Sequence, residues 1–121
     1  MPISHVTLPT KSFDATLNFF SKVLEFPIIE HPKDIAMRAA WFDVGDGQAV
    51  HVLEVEELES LRNEREFGRH IAFLFPHARW LRIKNQLERA GFEVVAPLRE
   101  SNASRFFVHD RNGYCFEFVL G

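Results

Sequence analysis

The sequence has little of what marks several common classes of protein. Its single cysteine, Cys115, leaves no intrachain disulfide and no CxxC pair for a structural zinc or a redox centre. No apolar run approaches the ~20 residues that span a bilayer, and the first residues lack the basic and apolar regions of a signal peptide. The 14 Lys and Arg are outnumbered by 17 Asp and Glu, whereas a nucleic-acid binder needs a basic stripe. These absences predict a cytoplasmic protein that binds neither nucleic acid nor a membrane.

Phenylalanine, by contrast, is abundant. The chain of 121 residues holds 13 Phe, and its 46% hydrophobic and 26% charged content is typical of one globular domain. A small domain must bury a large fraction of its apolar surface, so a Phe-rich core is the favoured interpretation. An aromatic-lined ligand pocket is the alternative.

The first half of the chain follows a strand–helix–strand–strand–strand pattern. A strand over residues 3–8 ends at Pro9, and Ser12 is the predicted N-cap of a helix that ends before Pro27. Extended pieces are predicted over residues 27–31, 37–44 and 48–53, the last two joined as a hairpin at Gly45-Asp46-Gly47.

The second half repeats this pattern after a charged connector. The connector, residues 56–67, is predicted to be solvated, with a helical turn through Leu58 and Leu61. A helix is predicted from the stripe that begins at Trp80, with Gly91 at its C-terminal cap. The predicted strands are residues 69–75, 92–95, 105–109 and 114–120.

The two halves keep register along their whole length. His5 and His70 are 65 residues apart, while His51 and Glu117, each four residues after a turn glycine, are 66 apart. The repeat predicts an α+β fold of two βαβββ modules, residues 1–55 and 68–121, that share a core by pseudo-twofold pairing.

These four residues are the candidates for chemistry, since general motifs such as GxGxxG, GxSxG and HExxH are absent. Glu117 lies in a strand that is otherwise apolar on both faces, so its carboxylate is predicted to be interior and to need a cation. Imidazole and carboxylate together suit Fe, Ni, Co, Mn or Zn. The pattern predicts one divalent metal ion held by His5, His51, His70 and Glu117.

Other polar residues give weaker signals. His31 and His77 are predicted to be solvated, His109 to belong to a hairpin, and Cys115 to act as a small buried hydrophobe. Three arginines suit a substrate anion, but a solvated surface is the favoured interpretation for them. They are Arg38, Arg99 and Arg105.

Several segments resemble those of the vicinal oxygen chelate superfamily, which groups glyoxalase I, fosfomycin and bleomycin resistance proteins, methylmalonyl-CoA epimerase and extradiol dioxygenases. The resemblance covers essentially the whole chain and is specific for the fold rather than for a reaction. It rests on Ile-Ser-His-Val at residues 3–6, on residues 15–26 and 41–47, on Gly-Arg-His-Ile-Ala at 68–72, and on residues 106–117.

The resemblance implies paired βαβββ modules, a homodimer, and His5, His70 and Glu117 at the three common metal-ligand positions. His51 falls at or beside the fourth position, where glyoxalase I typically has a glutamate that serves in proton transfer. Histidine at this place argues against lactoylglutathione lyase activity and is compatible with a related lyase or isomerase.

The leading hypothesis is therefore a metal-dependent lyase or isomerase that acts on a small oxygen-bearing molecule, with Glu117 or His51 as the base. An Fe(II)-dependent ring-cleaving dioxygenase that uses His5, His70 and Glu117 is one alternative. A non-catalytic module that sequesters an antibiotic is the other.

Overall fold

The computed structural model describes residues 2–100 and 102–121 and has the predicted α+β character. The chain divides into two compact units, one through Glu59 and one over Ser60–Gly121. The first unit contains all the elements of a βαβββ module, and in the second unit the second strand is replaced by a single bridge at Val95. The elements are β1 (His5–Thr10), α1 (Phe13–Asn18), β2 (Ile28–Ile29), β3 (Ala39–Gly45), β4 (Gln48–Glu54), β5 (His70–Phe75), α2 (His77–Arg89), β6 (Arg105–His109) and β7 (Cys115–Leu120).

The first unit is a four-stranded mixed sheet in the order β1-β4-β3-β2. β1 pairs parallel to β4, and β3 and β4 form the predicted antiparallel hairpin. Val50 and Val52 of β4 are buried on the side that α1 contacts, while His51 between them lies on the opposite face. The alternation of the strand therefore separates the core from the candidate site residue.

The start of the first helix differs from the prediction in two ways. β1 runs through Pro9, which is tolerated because β1 is an edge strand that, among the described residues, pairs only with β4. The Ser12 side chain makes no capping hydrogen bond. Thr10 Oγ1 instead accepts the Ser12 N–H at 2.9 Å and bonds to Thr16 Oγ1 at 2.9 Å. The helix continues as a π-helical turn over Phe19–Val23 before Pro27.

The second unit has a three-stranded sheet in the order β5-β7-β6. β5 lies parallel to β7, and β6 is antiparallel to β7, as in the first unit. Helix α2 ends as predicted at Gly91, whose φ of 89° lies in the left-handed region that glycine adopts without strain. The Phe92 N–H donates to Leu87 O at 3.0 Å and closes the helix.

The predicted strand over residues 92–95 is reduced to one bridge. Val95 and Phe107 exchange two backbone hydrogen bonds, of 2.8 and 2.9 Å, and no strand is formed there. Pro97 has no N–H to extend the pairing, and the N–H groups of Leu98 and Arg99 donate to Glu66 instead. The chain therefore leaves the sheet after Val95.

The charged connector also departs from the prediction. It contains no helical turn through Leu58 and Leu61, and Glu64 is buried and paired with Arg69. The connector turns back at Gly68, where a Cβ would lie 1.4 Å from Asn63 O, so only glycine fits. This half of the connector is part of the second unit rather than a solvated link.

The Phe-rich core is confirmed, since 11 of the 13 phenylalanines are buried. Phe67 is the marked exception, with 71% of its surface exposed. Among the described residues, no helix is both long and apolar enough to cross a membrane.

Candidate metal-binding site

Glu117 lies at the centre of the sheet of the second unit, on β7 between β5 and β6. Residues Cys115–Phe118 are all buried, and Glu117 itself is 9% exposed. The prediction of an interior carboxylate is therefore confirmed. A buried carboxylate must have charged or hydrogen-bonding partners to be tolerated.

Each strand beside β7 supplies one partner to this carboxylate. From β5, His70 Nε2 lies 3.1 Å from Glu117 Oε1, and from β6, Arg105 Nη1 donates to Oε2 at 3.2 Å. The two carboxylate oxygens are thus engaged separately. The sheet brings together two of the predicted metal ligands, His70 and Glu117, and adds a cation behind them.

Arg105 corrects the expectation of a solvated arginine. Its side chain is only 4% exposed, and Nη2 donates to Arg99 O at 2.6 Å and lies 3.6 Å from Glu66 Oε2. Among the described residues, no acceptor bonds to its buried Nε. The sequence contained a signal for the contact between Arg105 and Glu117, because the predicted hairpin places residues 105, 107 and 117 on one face. An arginine on that face, close to a buried glutamate, is the expected counterion.

Glu66 extends this network to residues 98–99, in the segment that follows Val95. Its two carboxylate oxygens accept the N–H groups of Leu98 at 2.6 Å and Arg99 at 2.8 Å. Partial burial alone would raise the pKa of Glu66, but the two N–H donors and Arg105 outweigh it and hold the pKa below its ordinary value. Glu66 is therefore a charged clasp between the connector and residues 98–99.

In the first unit, the other two predicted ligands form a ring stack. His5 and His51, on neighbouring strands, have ring centroids 3.9 Å apart, and Trp41 stacks on the other side of His51 at 3.7 Å. Burial, together with the positive charge of His5 when protonated, lowers the pKa of His51. Its imidazole is thus neutral at pH 7, the form that binds a metal or accepts a proton.

The donor atoms fit a borderline divalent ion, because imidazole nitrogen and carboxylate oxygen are its usual protein ligands. They occur as two pairs, His5 with His51 and His70 with Glu117. In the part of the chain that the structure describes, no three His, Cys, Asp or Glu side chains form a metal-binding group.

The remaining candidates lie elsewhere. His31 bonds to the Pro32 carbonyl, His77 opens α2, and His109 Nε2 bonds to Glu64 O. Arg38 pairs with Asp14 on the surface, as expected. Cys115 is buried, and burial together with nearby Glu117, Glu64 and Glu66 raises the pKa of its thiol to about 11.

Comparison with known proteins agrees with this architecture. Residues 2–118 match the model of the Glyoxalase/Bleomycin resistance protein/Dioxygenase superfamily. The chain belongs to this superfamily. Members of the superfamily usually use a divalent metal and are typically dimers that bind small molecules.

Among curated proteins, this superfamily member is similar to Glyoxylase I 4 of Arabidopsis thaliana, at 29% identity over 95% of this chain and 68% of that protein. Among solved structures, it resembles a glyoxalase family protein from Bacillus anthracis, with a TM-score of 0.81 at 21% identity over 100% and 95% of the two chains. It also resembles the fosfomycin resistance protein FosX of Listeria monocytogenes, with a TM-score of 0.73 at 20% identity over 100% and 91%. At these identities the solved structures support the fold alone.

Proposed function

We propose that this chain is a metal-dependent enzyme of the lyase or isomerase type that acts on a small oxygen-bearing molecule. His5, His70 and Glu117 would hold one divalent ion, with His51 as the fourth ligand or as a base. The observation that carries the proposal is the Glu117 carboxylate, which is buried and hydrogen-bonded to a second candidate ligand. A core position occupied by a carboxylate costs stability, so a role in chemistry explains it better than packing does.

The surroundings of Glu117 support separate tasks for its two oxygens. Oε2 accepts a hydrogen bond from Arg105, which fixes the orientation of the carboxylate. Oε1 is the oxygen beside His70 and is the better candidate to bind the ion. A bound divalent ion would act as a Lewis acid toward two substrate oxygens and stabilise negative charge that develops on them.

His51 is the better candidate for proton transfer. Its lowered pKa keeps the ring neutral at pH 7, and stacking between Trp41 and His5 holds the ring plane. A neutral imidazole can accept a proton from substrate, whereas the Glu117 oxygens already have partners. We also propose a homodimer, the usual state in the superfamily, to be tested by light scattering on the purified protein.

Elemental analysis of the purified protein tests the proposal, together with apoprotein reloaded with Fe(II), Ni(II), Mn(II) or Zn(II). We expect near-stoichiometric metal that is lost in His5→Ala and Glu117→Ala and kept in His77→Ala, which removes an imidazole from the start of α2. Binding of none of these ions would contradict the proposal and favour a metal-free binding module. A preference for Fe(II), with oxygen uptake in the presence of a catechol, would favour the dioxygenase alternative.

A further inference from the structure

The second unit contains a cavity of about 250 Å³ beside the sheet face that carries Glu117. The sheet contributes Phe107 and Cys115 to its lining, and the segments around Phe67 and Leu98 contribute the rest together with Val95. The volume is that of roughly eight water molecules at ~30 Å³ each. It therefore has room for an aliphatic chain or a single aromatic ring.

Strand register places this cavity next to the candidate ligand. Phe107 lies directly opposite Glu117 in the β6–β7 pairing, and Cys115 precedes Glu117 by two residues on β7. Alternate residues of a strand share a face. A molecule bound through its oxygens near Glu117 can thus extend its other end over Phe107 into the cavity.

The lining favours an apolar occupant. Three large apolar side chains around the cavity remain in contact with solvent, with exposed fractions of 71% for Phe67, 80% for Leu98 and 37% for Val95. Exposed apolar side chains grouped in this way mark binding surfaces, since covering them is favourable.

The polar groups at the same cavity already have partners within the chain. The Glu66 carboxylate is engaged by the N–H groups of Leu98 and Arg99, and His109 Nε2 bonds to the Glu64 carbonyl. Arg65 Nη2 donates to Arg62 O. An occupant would therefore be retained by apolar burial rather than by new hydrogen bonds.

The Glu66 clasp also explains why the cavity stays open. Glu66 joins the segment that carries Phe67 to the segment that carries Leu98, through two short hydrogen bonds. Its link to Arg105 connects both walls to the residue that holds Glu117. The walls are thus fixed at the distance that these bonds set, and the apolar side chains do not close onto one another.

We propose that this cavity is the subsite for an apolar group of the substrate. The substrate would then be a small molecule with oxygen donors at one end and an aliphatic or aromatic group at the other. The oxygen donors of this substrate are inferred from the proposed function, whereas its apolar group is inferred from the cavity.

The first experiment uses toluene and the metal-free protein, with methyl resonances recorded by NMR. We expect toluene to shift the methyl resonances of Leu98 and Val95 in the wild type and in Leu81→Asp, which changes an exposed leucine on α2 away from the cavity. Leu98→Asp should abolish the shift of Val95 while keeping the wild-type unfolding midpoint, because Leu98 is exposed. No shift in the wild type, or an equal Val95 shift in Leu98→Asp, would overturn the proposal.

The second experiment joins the two ends of the predicted substrate. Alkyl hydroxamic acids from acetohydroxamic to hexanohydroxamic acid present two oxygens and a growing chain, and their binding to Ni(II)-loaded protein is measured by calorimetry. We expect affinity to rise roughly three- to fourfold per methylene in the wild type and to stay flat in Leu98→Asp. A flat series in the wild type overturns the subsite. Binding of none of Fe(II), Ni(II), Mn(II) and Zn(II), or failure of the loaded protein to bind acetohydroxamic acid, contradicts the proposed function instead, and the toluene result still decides the subsite.

Discussion

The two units have the same strand register but carry side chains of different chemistry, His51 and Glu117, at equivalent positions. In the first, Trp41 lies opposite His51, and in the second, 66 residues later, Phe107 lies opposite Glu117. The histidine is held in a stack of aromatic rings, whereas the glutamate has a histidine and a buried arginine as partners. Equivalent backbone positions therefore set where a side chain points, while its charge decides how many partners the surrounding sheet must supply.

The two sheets also differ in the length of the strand at one edge. Ile29 pairs with Trp41 as part of β2, whereas its equivalent Val95 makes a single bridge to Phe107. The cavity lies beside that bridge, and its wall contains the residues that follow Val95. The shortened strand and the cavity thus lie at the same edge of the second sheet.

The largest expected effect comes from removing the buried cation. Arg105→Met leaves Glu117 and Glu66 without it, so the free energy of unfolding in urea should fall by about 3–5 kcal/mol. Arg38→Met, at an exposed ion pair of the first unit, should change it little. The double variant Arg105→Met with Glu117→Leu should regain much of the loss. Equal unfolding midpoints for wild type and Arg105→Met would show that the pair contributes no stability.

A smaller effect separates the two hairpins. Buried Asp110 accepts the N–H groups of Asn112 and Tyr114 through Oδ1, whereas Asp43 of the first hairpin is exposed and accepts that of Gly45. Asp110→Ala should cost about 1–3 kcal/mol in urea unfolding, and Asp43→Ala much less. Equal losses would contradict the role of burial.

Burial also raises the pKa of Asp110, against the opposing effect of its hydrogen bonds. The folded protein then binds the Asp110 proton at higher pH than the unfolded chain does. Wild type should therefore gain stability relative to Asp110→Asn as the pH falls through the folded pKa, toward the ordinary value of 3.8. A difference that is constant with pH would contradict the raised pKa.

The helix starts give a third contrast. Thr10 supplies its hydroxyl to the start of α1, while Pro76, the residue before α2, begins that helix without a side-chain cap. Thr10→Val should cost about 1–2 kcal/mol, and Ser12→Ala should stay within about 0.5 kcal/mol. Thermal unfolding of both variants measures the two losses of stability. A larger loss in Ser12→Ala than in Thr10→Val would indicate that Ser12 caps the helix.

The smallest effect is spectroscopic. Protonated imidazole quenches indole fluorescence, so acidification should dim Trp41 in a transition below pH 6.5, the ordinary pKa of histidine, because the pKa of His51 is lowered. His51→Asn should remove the transition, and so should Trp41→Phe, which leaves the fluorescence of Trp80. Since the unfolded chain takes up this proton first, His51 favours folding above its ordinary pKa, and this advantage is lost as the pH falls. A midpoint at or above 6.5 would contradict the lowered pKa.

Local pattern predicted most of the fold because the repeat appears twice. The strands that contain His51 and Glu117, the hairpin turns and the Gly91 cap follow from period-2 alternation and turn chemistry over a few residues. The strand at residues 92–95 and the helical turn at Leu58 were wrong. The first is decided by a partner distant in sequence, because Glu66 accepts the N–H groups of Leu98 and Arg99.

The candidate site, too, was predicted in part from the sequence and in part only from the tertiary structure. The pattern of the sequence alone marked Glu117 as an interior carboxylate, since an apolar strand with one charge has no solvated face to offer it. Only the tertiary structure showed that Arg105 is its counterion, that Glu66 clasps residues 98–99, and that a cavity lies beside Phe107. Periodicity reports which face a residue occupies, whereas ion pairs and cavities depend on which other segments fold onto that face.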